Sequence, residues 1–312
     1  MQEMETKENQ IIHGVIWKQL LIFFFPILLG TFFQQIYNTA DTVVVGRFVG
    51  TEALAAVGGS TSQIINLIVG FFTGLASGAT VVISQHYGAK QEDGVQKALH
   101  TAYAFSVVGG IIISIMGILI TRPLLKLMNT PDNIIDLSAT YLCIYFAGLV
   151  FVFIYNVGAG ILRAVGDSRR PLYFLILCCF INIVLDIILI VFLKMGVAGA
   201  AIATTFSQGI SAVMVTVTLC RTTDIFRLRV KKIRFHAQPM GMIVKIGLPA
   251  GLQSVMYSLS NVIIQSSLNT FGTETVAAWT AFSKIDAIYW MISGAFGIAI
   301  TTFVGQNYGA GK

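Results

Sequence analysis

Apolar and polar residues segregate into long blocks along the chain. Eight mostly apolar blocks, at about 19–46, 54–84, 96–120, 138–162, 171–193, 197–219, 243–269 and 275–303, each reach the roughly 20 residues that a helix needs to cross a bilayer. The expected fold is an all-α polytopic membrane bundle. The connections alternate in character: YGAKQEDGVQK, RAVGDSRRP and RTTDIFRLRVKKIRFHAQP follow the second, fourth and sixth blocks and are basic, whereas the intervening ones are short and poor in Lys and Arg. Fifteen of the 20 Lys and Arg fall on that side, against Arg47, Arg122, Lys126 and Lys194 on the other, with Lys284 inside the last block. The positive-inside rule then puts both termini in the cytoplasm, as an even number of crossings requires, and the protein in the plasma membrane.

Composition closes several other routes. The chain is 55% apolar and 11% charged, where soluble domains carry about 25% charge, and no stretch is free for a separate soluble core. A net charge of +6 is compatible with nucleic-acid binding, but the basic residues lie between apolar blocks and not along one polar face. The cysteines Cys143, Cys178, Cys179 and Cys220 have neither CxxC nor Cys/His metal spacing. The opening MQEMETKENQ is polar, with no small-residue cleavage site, so the first block is expected to remain as a span. The closing GAGK lacks the first glycine of a phosphate loop, which falls on Gln306, so no nucleotide is expected. Neither HExxH nor GxSxG occurs, which argues against a membrane-embedded enzyme.

The chain also repeats itself. FVGTEALAA at 48–56 returns as FGTETVAA at 271–278, QHYGAK at 85–90 returns as QNYGAG at 306–311, and Pro26 and Asn38 align with Pro249 and Asn261. Helices seven and eight therefore echo helices one and two in the same orientation, as in transporters built from parallel halves. The expected division is a six-helix lobe over 1–220, a basic linker over 221–242 and the first two helices of a second lobe over 243–312.

These elements resemble the multidrug and toxic compound extrusion (MATE) family: a proline before YNTADTVVVGRFVG, the QHYGAK and QNYGAG echoes, ILRAVGDSRRP, and NIVLDIILI in the fifth block. The resemblance runs along the whole chain and covers the first eight of that family's twelve helices, so the pattern is truncated after helix eight. It implies a two-lobed antiporter, monomeric when full length, that exports cationic or amphipathic small molecules in exchange for H+ or Na+, with no other cofactor. NorM-type members carry an acidic residue in helix seven, but PAGLQSVMYSLSNVIIQ has none here, which favours a DinF-like arrangement with coupling in the first lobe.

Of 14 acidic residues, only Asp41, Asp186 and Asp286 lie well inside apolar blocks. An aspartate at the centre of a membrane helix costs about 2.5 to 3.5 kcal/mol on insertion scales, so it is usually kept for what it does. Asp41 follows Pro26, and Asp186 follows Pro171, by fifteen residues each, about 22 Å along the helix, which puts both at one depth. Tyr37 and Asn38 precede Asp41 by four and three residues, Asn182 precedes Asp186 by four, and Thr204 in the sixth block reaches the same level. A polar pocket of Asp41, Tyr37, Asn38, Asp186, Asn182 and Thr204 is expected. The family resemblance puts its cation site on Asp41, Asn182, Asp186 and Thr204. Two carboxylates in a low-dielectric pocket cannot both ionise cheaply, which suits a proton carrier, and the Asn and Thr oxygens are hard ligands suited to sodium.

Other readings stay open. Asn182 with Asp186 can be a structural hydrogen-bond pair, and Pro26 is either a hinge or a tolerated kink. Lys284 and Asp286 point to different faces of helix eight and either line the cavity or pair with other helices. The basic stretch 221–236 suits anionic lipid headgroups, although orienting the chain is explanation enough. The nearest rival function is a lipid-linked sugar flippase, for which several cavity arginines would be expected. A third reading is a fragment that does not transport by itself, because half of the inter-lobe cavity wall is missing.

Overall fold

The computed structural model describes residues 10–269 and 273–312. It consists of α1 (Gln10–His13), α2 (Ile16–Phe48), α3 (Thr51–Gly58), α4 (Ser60–Gly88), α5 (Glu92–Leu127), α6 (Asp132–Ala147), α7 (Leu149–Ala164), α8 (Arg169–Asp186), α9 (Gly196–Arg221), α10 (Ala237–Asn269) and α11 (Thr273–Gly309). Among the described residues there is no strand. Seven helices are long and apolar enough to span a membrane when α3 and α4 count as one. The bent pair of α6 and α7 makes the eighth, so every apolar block became a span.

Two blocks are not single straight helices. The second breaks at Gly58 and Gly59, where the Ser62 hydroxyl takes the freed carbonyls of Gly58 at 2.6 Å and Gly59 at 2.9 Å. The fourth bends by 47° between α6 and α7. At that elbow Thr205 of α9 presses so closely on Gly148 that a Cβ there would collide with it. In RAVGDSRRP, Gly166 turns the chain at φ 96°, which only glycine adopts at ease, and Asp167 Oδ1 then accepts from the Arg169 and Arg170 amides at 3.1 Å each. That motif thus starts α8.

The central core joins α4, α5, α7 and α9 through Ile83, Leu99, Ala159, Ile161 and Val215, all nearly inaccessible. Leu119, Phe192 and Ile285 are instead 73%, 73% and 70% exposed, the apolar belt that lipid would cover. α10 runs along α4 on two small-residue pairs with GxxxG spacing, Gly74 and Gly78 against Gly247 and Gly251. A Cβ on Gly74 would stand 2.5 Å from the Gly251 nitrogen. α11 packs on α4 and α2. At the end where α4 and α11 finish, the two echoed motifs meet: a Cβ on Gly88 would collide with the Gln306 backbone, and one on Gly309 with that of Gln85. Since Gln85 corresponds to Gln306 and Gly88 to Gly309, each motif grips its own copy reciprocally, as across a two-fold axis.

Residues 222–236, between α9 and α10, are folded onto the bundle. Phe226 and Leu228 are buried, the Leu228 amide donates to Leu219 O at 2.9 Å, and Gln96 Nε2 donates to the carbonyls of Ile225 and, at 3.2 Å, Arg227. His236 Nε2 accepts from Arg234 Nε at 3.1 Å, which leaves its other nitrogen to the Thr101 hydroxyl at 3.1 Å. The ring titrates below the ordinary histidine value, first because of desolvation and then because of Arg234, Lys97 and His100, with Asp93 opposing. A depressed folded-state value means that this anchor is fully present above the unfolded pKa and lost as pH falls through the folded one. Hydrogen exchange of the 222–236 amides, corrected for intrinsic rates, should therefore be constant above about pH 7 and accelerate below about pH 6.

Candidate cation site

α2, α8 and α9 pack against one another and bring three short polar sets together. On α2, Tyr37, Asp41 and Val45 are buried at i, i+4 and i+8, so one edge of the helix carries both polar groups inward. On α8, Asn182 and Asp186 lie one turn apart and are 1% and 0% exposed. Asp186 is the last residue before the helix widens into the π-turn Ile187–Phe192, a feature that often accompanies functional sites. The small residues Ala200, Ala201 and Ala203 let α9 approach and set Thr204 between Asp41 and Asn182.

Thr204 Oγ1 donates to Asp41 Oδ2 at 3.0 Å, and Asn182 Nδ2 reaches Thr204 Oγ1 at 3.5 Å. Thr204 thus ties Asp41 of α2 to Asn182 of α8, one turn from Asp186, so both carboxyls belong to one buried polar cluster. Asp41 Oδ1, Asn182 Oδ1 and both Asp186 oxygens are buried and receive no donor. Four orphaned acceptor oxygens in one place fit a proton or a small hard cation: a proton turns one carboxyl into a donor, and Na+ is held by carboxylate, amide and hydroxyl oxygens. Among the described residues no group of three His, Cys, Asp or Glu side chains could hold a transition metal.

Not every expected residue joins this cluster. Asn38 is exposed, one residue off the Tyr37–Asp41–Val45 edge, and so lies outside the pocket expected to include it. Asp286 does not line the cavity next to the site. Its Oδ2 accepts from Trp290 Nε1 at 3.0 Å, and it is Trp290 that lines the cavity. The Lys284 side chain lies outside the described residues. Pro26 does line that cavity, and α2 runs through it as an unbroken helix.

The cavity, about 330 Å³, extends from Tyr37 toward Pro26 and α11. Gln208, one turn from Thr204, donates to Tyr37 OH at 3.2 Å and lines the cavity with Tyr145, Asn156 and Arg163. Sequence reading missed Gln208, although Thr204, Gln208 and Ser211 form a polar stripe at helical spacing. It also missed Arg163, a cation in the cavity wall whose Nε is buried without a partner.

Comparison with known proteins places this geometry. A profile of the MatE family matches residues 26–188 and 249–312. The chain belongs to the MATE family. It is 31% identical to the probable multidrug resistance protein YoeA of Bacillus subtilis, over 99% of this chain and 69% of that one. It superposes at a TM-score of 0.90 and 28% identity on an outward-facing multidrug resistance MATE transporter of the MOP superfamily, covering 99% of this chain and 68% of that one. It superposes equally, with the same identity and coverage, on a MOP superfamily transporter of Pyrococcus furiosus described as having a binding pocket of reversed polarity that suggests a different function. MATE proteins are secondary transporters, so this multi-span chain is a transporter and not an enzyme.

Proposed function

We propose that this MATE protein is a multidrug efflux antiporter, exporting cationic or amphipathic small molecules in exchange for protons taken up at Asp41 and Asp186. The observation that carries this reading is the buried cluster in which Thr204 donates to Asp41 and is reached by Asn182, while Asp186, one turn from Asn182, receives no donor. Protonated, the pair shares one proton and its charge falls from two negative charges to one. Deprotonated, it presents negative charge to a cation arriving through the cavity below.

In this reading residues 1–220 form one lobe, 221–242 the linker and 243–312 the start of the second, with the basic end and both termini in the cytoplasm and the working unit a monomer. The glycine contacts of α4 with α10 and α11 then close the cytoplasmic side, which accords with the likeness to an outward-facing transporter. Pro26 leaves the carbonyl four residues earlier without its helical partner, so α2 bends there at low cost as the site changes charge.

The test is efflux of a fluorescent lipophilic cation from cells expressing the transporter, under imposed pH or sodium gradients. Dependence on the pH gradient alone is expected. Dependence on sodium alone would overturn proton coupling and assign Na+ to the same oxygens.

One observation favours a second reading. Arg163 lines the cavity and has an unpartnered Nε, which suits cargo bearing an anionic group. Arg163→Gln should then weaken transport of a zwitterionic cargo at least tenfold more than that of a purely cationic one, as a ratio of kcat/KM. Equal effects on both would remove this reading.

A further inference from the structure

The folded linker does more than join α9 to α10. Together with the start of α5 it walls a cavity of about 800 Å³ at the basic end of the bundle, well separated from the Asp41 site. Six cations line it: Lys97, Arg227, Arg229, Lys231, Lys232 and Arg234. Against them stand Glu92, Asp93 and Asp224, of which Asp93 is bound to Lys97 at 2.6 Å. Among the described residues the other five cations make no ion pair. Orienting the chain in the membrane requires only that positive charge lie on this side. It does not require the charges to converge on one cavity, nor the loop that carries them to be fastened by buried hydrogen bonds.

That fastening is specific. The Arg229 amide donates to His100 Nε2 at 3.1 Å, and His100 Nδ1 is held on Gln96 O at 2.7 Å, so both nitrogens of this buried ring are used. At the far end, Arg234 and Thr101 hold His236. The cationic side chains thus project from a backbone fixed at both ends, and less entropy is lost when an anion orders them. Next to them, Val230 is 66% exposed and Phe235 49% exposed. Apolar side chains displayed between basic ones at the end of a membrane bundle belong in the headgroup layer.

We propose that this cavity is a binding site for an anion carrying two phosphate groups, supplied by the headgroup of a bis-phosphate phospholipid of the cardiolipin type. A single phosphate is matched by two or three donors, whereas five Lys and Arg without an ion pair around this volume match two, even with Arg227 Nε given to Cys220 O and Arg234 Nε to His236. The same chemistry would accept a soluble diphosphate, so the test needs both sources.

The purified protein would be mixed with cardiolipin, phosphatidylglycerol, phosphatidylcholine or inorganic pyrophosphate, and bound ligand would be read by native mass spectrometry and by the thermal unfolding midpoint. Retention in the order cardiolipin, phosphatidylglycerol, phosphatidylcholine, weakened by salt, is expected. The variant Arg229→Gln/Lys231→Gln/Lys232→Gln should lower cardiolipin affinity on the order of a hundredfold, and Lys231→Arg/Lys232→Arg should retain it. Pyrophosphate binding without cardiolipin preference would keep the diphosphate site and assign it to a soluble ligand. Equal retention of all three lipids by the unmodified protein together with no pyrophosphate binding would overturn the proposal, whether or not the variants fold. So would a folded triple variant that binds cardiolipin as the unmodified protein does.

Discussion

Asp41→Asn is expected to abolish pH-driven efflux while leaving the protein folded in the membrane. The thermodynamic reason is direct: one proton exchanged per cargo molecule across one pH unit sustains about a tenfold cargo ratio, and a transporter that takes up no proton sustains none. Asparagine keeps the geometry, because its Oδ1 still accepts the Thr204 hydroxyl that now stands 3.0 Å from Asp41 Oδ2. A loss of transport therefore reads the missing titration and not a missing contact. Thr204→Val, which removes the donor and leaves both carboxyls, should reduce coupled efflux by only about tenfold, the weight of one hydrogen bond to a charged group. Efflux from everted vesicles, with surface-resolved expression as the control, separates the two variants. Unchanged pH-driven efflux in Asp41→Asn would remove the proton from Asp41.

Much of this site was legible because two periodicities carry it. Asn182 and Asp186 share a face by helical spacing alone, and the prolines below Asp41 and Asp186 put both acids at one level. Depth, however, says nothing about lateral position, and only the packing of α2, α8 and α9 shows that Thr204 bonds to Asp41. Asn38 was misplaced for a geometric reason: at about 100° per residue, positions three and four before Asp41 fall on opposite flanks of it, and α2 buries the flank bearing Tyr37. Gln208 is legible too, since it stands one helical turn from Thr204 on the same stripe. The π-turn after Asp186 and the elbow at Gly148 were not readable, since each depends on what presses against the helix. For the fold, eight apolar blocks became eight spans because length and apolarity alone decide crossing. The break at Gly58 and Gly59 shows that such a block need not be one helix.

Gly88→Leu should stop transport as completely as the loss of Asp41, by a different route. Position 88 lies where α4 touches α11, and even a Cβ there collides with the Gln306 backbone. A backbone cannot swing aside as a long side chain can, so the larger residue must push one helix off the other. The contact is reciprocal, Gly88 on Gln306 and Gly309 on Gln85, so Gly309→Leu should act in the same way, and the double variant little more than either single one. Ser84 is the position to watch: it is buried beside Gly305 at this junction, so Ser84→Cys should be protected from a membrane-impermeant thiol reagent applied to the basic side. In the Gly88→Leu background the same cysteine should be labelled rapidly, with transport reduced at least a hundredfold. If Gly88→Leu transports normally and Ser84→Cys stays protected, α4 and α11 do not close that side by direct contact, and the repeated QHYGAK and QNYGAG motifs need another explanation. If labelling rises and transport survives, the junction opens without being required. The expected pairing of exposure with lost transport would mean that the two echoed motifs are the closure itself, since the site can load from the opposite face only while this one is shut.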